Sequence, residues 1–467
     1  MQIKKWIVDR RKAVLHMLLL VAVFAVSVGV RYKHFGKPLS RHHEWLTAHS
    51  LIIMKIWDKG GIANYHFAPV YSFPGKGNKH DYSICSLHDR QGDAYYVSYG
   101  PFSSIFPYFL FKLFMMPVTI GTLIGFNLLV HFLVSLFLYL LVSRLAGKRV
   151  SDFSLGALVA FKLYLFSPGT LWFHGNVYFS EILVQLFFAA GMYVFYLLLE
   201  QKAQNRKLLI WYGLICFFGI YTEWLGLFFT FVTGVFFLVK TIRERAYLRP
   251  FLIAACSGIL ALSLIIYQYS SIAGWDQFVK VETNKFVERN GGMVNGYKAE
   301  EKFSITNAES FKILEAELNG NFLNVMNTLA FVIPLFVVLV CYRKKYLFNG
   351  KQGVILGIMA LVVLMHHLVF FNFTAVHDFS MLKTGYVLIF LVAIMISRME
   401  EFSVGRAWLR WTFLLLVMGF MVVKAVGSWK IYDKDRGPKF VYATYKVAGT
   451  QIKQHARPDK EIVLTNI

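Results

Sequence analysis

The chain has 467 residues, 57% of them hydrophobic and only 16% charged, with a mean hydropathy of +0.52. Apolar runs of spanning length recur along it, which excludes an ordinary soluble domain of this size. The formal charge of +23 does not point to nucleic acid, because the Lys and Arg residues sit in short gaps between apolar runs, where they orient a membrane protein.

The N-terminus, Met1 to Lys12, is basic and leads into an apolar run that ends at Val30. That run is longer than a signal-peptide core and lacks a small-x-small cleavage site. It reads as a retained first span with a cytoplasmic N-terminus. Residues 31 to about 118 form a first outer loop. Spans are then expected near 119–142, 154–172, 177–199, 208–222, 224–239, 250–269, 322–341, 353–371, 381–397 and 411–427. Basic clusters follow on the inner side: Arg144, Lys148 and Arg149; Lys202, Arg206 and Lys207; Lys240 to Arg249; Arg343 to Lys345; and Arg398, Arg406 and Arg410. The expected fold is an all-α polytopic membrane protein of about 11 transmembrane helices. Its membrane domain, 1–430, includes the first outer loop, 31–118, and a second outer loop, 271–320; a short outer tail, 431–467, follows. Cys216, Cys256 and Cys341 lie in or at the ends of spans, and Cys85 alone lies in an outer loop, so no structural disulfide is expected.

The first outer loop opens with Ser40-Arg41-His42-His43-Glu44-Trp45. Leu51, Ile52, Met54, Ile56 and Trp57 follow at helical spacing, and Gly60-Gly61 ends the stretch. This pattern predicts an amphipathic helix lying in the interface. A second interfacial helix is expected around residues 103–114, where Pro107 and Lys112 interrupt a run too short to span. Further polar residues mark span ends on the same side: Tyr178 and Glu181 at the opening of the fourth span, Glu223 and Trp224 where the fifth joins the sixth, His377 and Asp378 where the ninth joins the tenth, and Lys383 one turn into the tenth. Carboxylates at a bilayer boundary are costly. One hydrated cavity explains several of them on one face better than separate accidents do.

Three segments carry a family resemblance: His43-Glu44-Trp45, Tyr96-Val-Ser-Tyr-Gly-Pro101 and His377-Asp378-Phe-Ser-Met-Leu382. With the large first loop, they resemble the GT-C superfamily of membrane glycosyltransferases, and within it the protein mannosyltransferase and aminoarabinose transferase branch. The last segment is similar to the branch's His-x-Tyr-Tyr-x-Leu stretch. The chain departs from the pattern in having His-Glu where Asp-Glu is common, and Gly100 where a second Pro is common. Residues 431–467 stand where many relatives carry a large soluble domain.

The resemblance implies glycosyl transfer, with inversion, from a polyprenyl-phosphate sugar to a glycan, lipid or protein acceptor at the outer membrane surface. A bacterial inner or plasma membrane is the expected location. The protein must then take a proton from the acceptor, hold two substrates and neutralise phosphate charge. Glu44 is the candidate base, against the plainer reading of a carboxylate at a helix start. His43 would tune Glu44 or touch the acceptor. Arg41, Tyr96, Tyr99, Tyr178, Glu181, Glu223, Trp224, His377 and Asp378 are candidate substrate contacts. Lys383 is the candidate phosphate contact, against snorkelling to the surface. No cofactor is expected, because His42, His43, His49 and Glu44 match no closed zinc spacing. The loop 271–320 reads as a lid or a plain spacer. A flippase or transporter of lipid-linked sugars is the main rival, but it would place polar residues deep in several spans. An O-antigen ligase or polymerase would place its large outer loop late in the chain.

Overall fold

The computed structural model describes residues 2–35, 41–72, 86–149, 152–290, 307–321 and 350–402, two short strands within 293–298, and isolated positions elsewhere. The expected spans 322–341 and most of 411–427 lie outside the described residues, as do Cys85, Cys341 and most of the tail.

Among the described residues, seven helices are long and apolar enough to cross a membrane, and a bent pair makes up to eight. In hydrocarbon a helix satisfies every backbone group internally, so even the Val-rich first run is helical. That run lies in α1 (Gln2–Arg31). Its apolar window is only 11% buried, as a lipid-facing helix would be. Next come α4 (Ile120–Leu145), the pair α5 (Leu155–Phe166) and α6 (Pro168–Asn176), and α7 (Ser180–Glu200). After them come α8 (Arg206–Ile220), α9 (Trp224–Thr241) and α10 (Leu248–Ala273). α4 packs on α5 and α7, α7 on α8, and both α8 and α9 on α10.

The span expected at 154–172 is not one straight helix. The chain bends by 58° between α5 and α6. Pro168 has no N–H to continue the helix and disfavours helical geometry at the residue before it. Ser167 accordingly sits extended, at ψ 136. At 15 residues, α8 is about 22 Å long, short of a hydrocarbon core of about 30 Å.

The first loop carries two helices, at the places where the sequence led us to expect them. α2 (Glu44–Gly60) buries Leu51, Ile53, Met54, Ile56 and Trp57, each worth roughly 1.5–3 kcal/mol relative to exposure. α3 (Phe102–Leu113) lies beside it and is tied to it by Lys112 and Asp58. Leu113, Phe114 and Met115 are exposed at its end, as expected where a helix meets lipid. Strands β1 (Leu87–His88) and β2 (Ala94–Tyr95) pair antiparallel between the two helices. The departure at Gly100 has a steric cause. A Cβ there would lie 2.0 Å from the carbonyl oxygen of Tyr221, which also accepts the Phe102 N–H at 3.1 Å. The loop therefore docks directly on the α8–α9 turn.

The chain continues through α11 (Trp275–Arg289), a short hairpin of β3 (Met293–Val294) and β4 (Tyr297–Lys298), and α12 (Ala308–Asn321). α13 (Gly350–Val369) and α14 (Phe371–Val376) lead through a 3-10 turn at Asp378–Lys383 into α15 (Thr384–Phe402).

Candidate active site

A cavity of about 240 Å³ opens where the first loop, the start of α7, α11 and the α13–α15 connection meet. Tyr96, Tyr99 and His377 line it, together with His49, Lys285 and Phe379. Burial, and His43 nearby, push the His377 imidazole down to about 4, so it is neutral near pH 7.

Behind the lining residues His377 and Phe379 lies a histidine–aspartate cluster, none of whose three members lines the cavity itself. Asp378 is buried, with Oδ2 2.8 Å from His42 Nε2 and Oδ1 3.1 Å from His43 Nε2. His43 directly precedes α2 in the left-handed region, at φ 56. His tolerates this conformation better than most side chains, and such outliers often mark sites. Its ring packs on Phe379 at 5.0 Å and lies 6.1 Å from His377. Among the described residues, its buried Nδ1 has no hydrogen-bond partner. One ring nitrogen thus faces the carboxylate, and the other is buried without a partner among the described residues.

Glu44 is buried at the first position of α2, where Oε2 accepts the Arg41 N–H at 2.9 Å. It is not among the cavity-lining residues. The Arg41 guanidinium meets His34 Nδ1. Tyr178 donates its hydroxyl to the Ser103 carbonyl at 2.6 Å, and Trp224 its indole N–H to Ser98 O at 3.0 Å. These two side chains bind the loop to the membrane helices.

Glu181, Glu223 and Lys383 come together in one buried network. Lys383 Nζ pairs with Glu181 and lies 2.9 Å from His366 Nε2. His366 Nε2 is 3.1 Å from Glu223 Oε1, whose other oxygen accepts the Leu225 N–H at 2.8 Å and caps α9. Tyr99 donates to Glu181 Oε1 at 3.2 Å, which joins the network to the cavity.

Sequence reasoning passed over Arg289. It ends α11, is buried, and has its guanidinium carbon 4.4 Å from the Tyr99 ring centre, 5.5 Å from Phe370 and 5.1 Å from Phe373. Among the described residues, Arg289 Nε has no hydrogen-bond partner. Lys285, one turn earlier, lines the cavity and pairs with Glu288 at 2.7 Å. The spacing of four between Lys285 and Arg289 was the available signal, since it puts both on one helix face.

Among the described residues, two groups have the donors for a metal: His42, His43 and Asp378, and Glu181, Glu223 and His366, the ligand atoms of each within 4.8 Å of one another. In the second group the Lys383 ammonium already supplies the cation. In the first, the carboxylate and imidazoles face one another as a hydrogen-bonded relay would.

No family model matches the chain, and no curated protein matches it. The fold does match solved structures. The apo oligosaccharyltransferase of Archaeoglobus fulgidus aligns at a TM-score of 0.54 with 13% identity, over 95% of this chain and 58% of that one. The same organism's oligosaccharyltransferase AglB, in complex with an inhibitory peptide and a dolichol-phosphate, aligns at 0.51 with 13% identity and the same coverage. ArnT from Cupriavidus metallidurans, bound to undecaprenyl phosphate, aligns at 0.49 with 14% identity, over 96% of this chain and 81% of that one. The chain therefore spans little more than half the length of the archaeal enzyme. On the archaeal matches, this multi-pass membrane chain shares the fold of the aligned part of that oligosaccharyltransferase.

Proposed function

We propose that the chain is a membrane glycosyltransferase that moves a sugar from a polyprenyl-phosphate donor to a glycan, lipid or protein acceptor. One observation supports the reading: behind the cavity lining, His43 packs on Phe379 with Asp378 at its Nε2, while Lys285 lines the cavity and Arg289 stacks behind Tyr99 and Phe373. The acceptor oxygen attacks the anomeric carbon as the bond to phosphate breaks, with inversion. His43 takes the acceptor proton at Nδ1, and Asp378 holds the ring from behind. Glu44 shapes the turn that presents His43. Lys285 and Arg289 take up the charge that develops on the leaving phosphate. The dolichol-phosphate bound to AglB supports a lipid-phosphate donor for this fold. No cofactor is required by this scheme.

The donor site is tested by Arg289→Met and Lys285→Met. A charge-assisted contact is worth about 1.5–3 kcal/mol. Each variant should therefore raise the donor KM roughly tenfold to a hundredfold, with a smaller change for the acceptor. Arg289→Lys should be intermediate, keeping the charge but losing the planar stack. Donor kinetics unchanged in both Met variants would remove the phosphate from this wall.

The same proposal places the cavity outside and the N-terminus inside a bacterial inner or plasma membrane. Single cysteines at Arg90 and Thr283, in a background without the four native ones, should react with an impermeant maleimide on intact cells. A cysteine at Gln204 should react only after permeabilisation. Labelling of all three from one side would split the proposed topology.

A further inference from the structure

A second cavity, of about 760 Å³, lies at the opposite ends of the membrane helices. α7 connects the two: Ser180 lines the first cavity and Glu200 the second. With 21 residues in α7, the cavities are roughly 30 Å apart, so the second is no part of the transfer site.

Three cations face it: Arg144 near the end of α4, Lys240 near the end of α9 and Lys351 at the start of α13. Among the described residues, Glu200 is the one carboxylate in its lining. Two tyrosines steer the cations, with Lys351 Nζ 5.8 Å from the Tyr196 ring and Lys240 Nζ 5.9 Å from the Tyr247 ring. Tyr196 spends its hydroxyl on the protein, at 3.3 Å from Arg144 O and 3.2 Å from Glu200 Oε1. Among the described residues, Arg144 Nε is buried without a hydrogen-bond partner. A donor of that kind normally has an acceptor.

Basic side chains at the ends of α4 and α9 have a plain use against the helix dipoles. That use does not call for a third cation from α13 or leave Arg144 Nε unpaired. The remaining walls are apolar, including Leu199, Phe236 and Val354. Next to Phe236, the face of α9 is exposed at Val235, Leu238 and Val239. A charged pocket that opens onto a lipid-facing helix suits a molecule with an anionic head and apolar tails.

We propose that this cavity binds the phosphate headgroup of an anionic phospholipid from the leaflet opposite the transfer site, with its acyl chains along α9. The proposal stands on residues apart from the transfer reaction.

Native mass spectrometry of the detergent-purified full chain, titrated with phosphatidylglycerol or phosphatidylcholine, tests it. Wild-type protein should retain phosphatidylglycerol in preference to phosphatidylcholine. Replacing Arg144, Lys240 and Lys351 by Gln should weaken retention by roughly fivefold per charge removed. Glu200→Gln should strengthen it, a gain that misfolding cannot imitate. Equal retention of both lipids, or no change in either variant, would overturn the proposal. Protection against thermal unfolding by glycerol phosphate alone, matching that by the lipid, would make it a soluble-anion site and overturn the lipid assignment.

Discussion

His43→Asn should lower kcat by roughly a hundredfold to ten-thousandfold, the usual worth of a general base. Asn is the appropriate replacement because His43 sits at φ 56, and Asn tolerates the left-handed region while being unable to take the proton. Folding and donor binding should therefore survive, and the loss should fall on turnover. Asp378→Asn should lose activity in the same range. An amide can turn its NH₂ toward the imidazole and reverse the tautomer that Asp378 now holds. Glu44→Gln should stay near wild type, since a Gln carbonyl can still accept the Arg41 N–H that Glu44 Oε2 takes at 2.9 Å. Steady-state rates with a lipid-linked sugar separate the three. Collapse of Glu44→Gln with active His43→Asn would return the base to Glu44.

The helical order and the gathering of the candidate residues at one end of the helices were legible because each rests on a local signal. Apolar length marks spans, Lys and Arg mark one side, and Leu51, Met54 and Trp57 show one buried face of α2. Breaks were less legible. Ser167-Pro168 signalled one, but apolar residues on both sides made 154–172 look continuous. The site's partners were legible only in part, because pairing is a long-range property. Sequence could place His43 and Asp378 on the same side, but not put residues 335 positions apart within 3.1 Å. His366 was missed although it lies in a span, where an ionisable residue asks for a reason. Arg289 was missed because the loop around it has balanced charge: its spacing from Lys285 was a weak signal, and its packing on Tyr99, Phe370 and Phe373 is what sets it apart.

Lys383 shows how burial changes a reading. From its position alone it was the expected phosphate contact. In the structure it is buried between Glu181 and His366, so its charge is already spent on the protein. Removing one member of a buried ion pair leaves the other uncompensated, at about 3–5 kcal/mol. Lys383→Met should therefore destabilise the fold by that order, measured as unfolding in mixed micelles. Glu181→Gln alone should also destabilise, because it leaves the ammonium with His366 and a more distant Glu223. The double variant Glu181→Gln/Lys383→Met should recover much of the single Lys383 loss, since no buried charge is then left facing nothing. Tyr99 would keep its acceptor, because the amide carbonyl introduced by Glu181→Gln can stand where Glu181 Oε1 accepts the Tyr99 hydroxyl at 3.2 Å. Losses that simply add in the double variant would show that the two side chains are energetically independent. A stable Lys383→Met protein with a raised donor KM would instead return Lys383 to the phosphate. The same pair of measurements thus decides whether this ammonium holds the membrane helices together or serves the substrate.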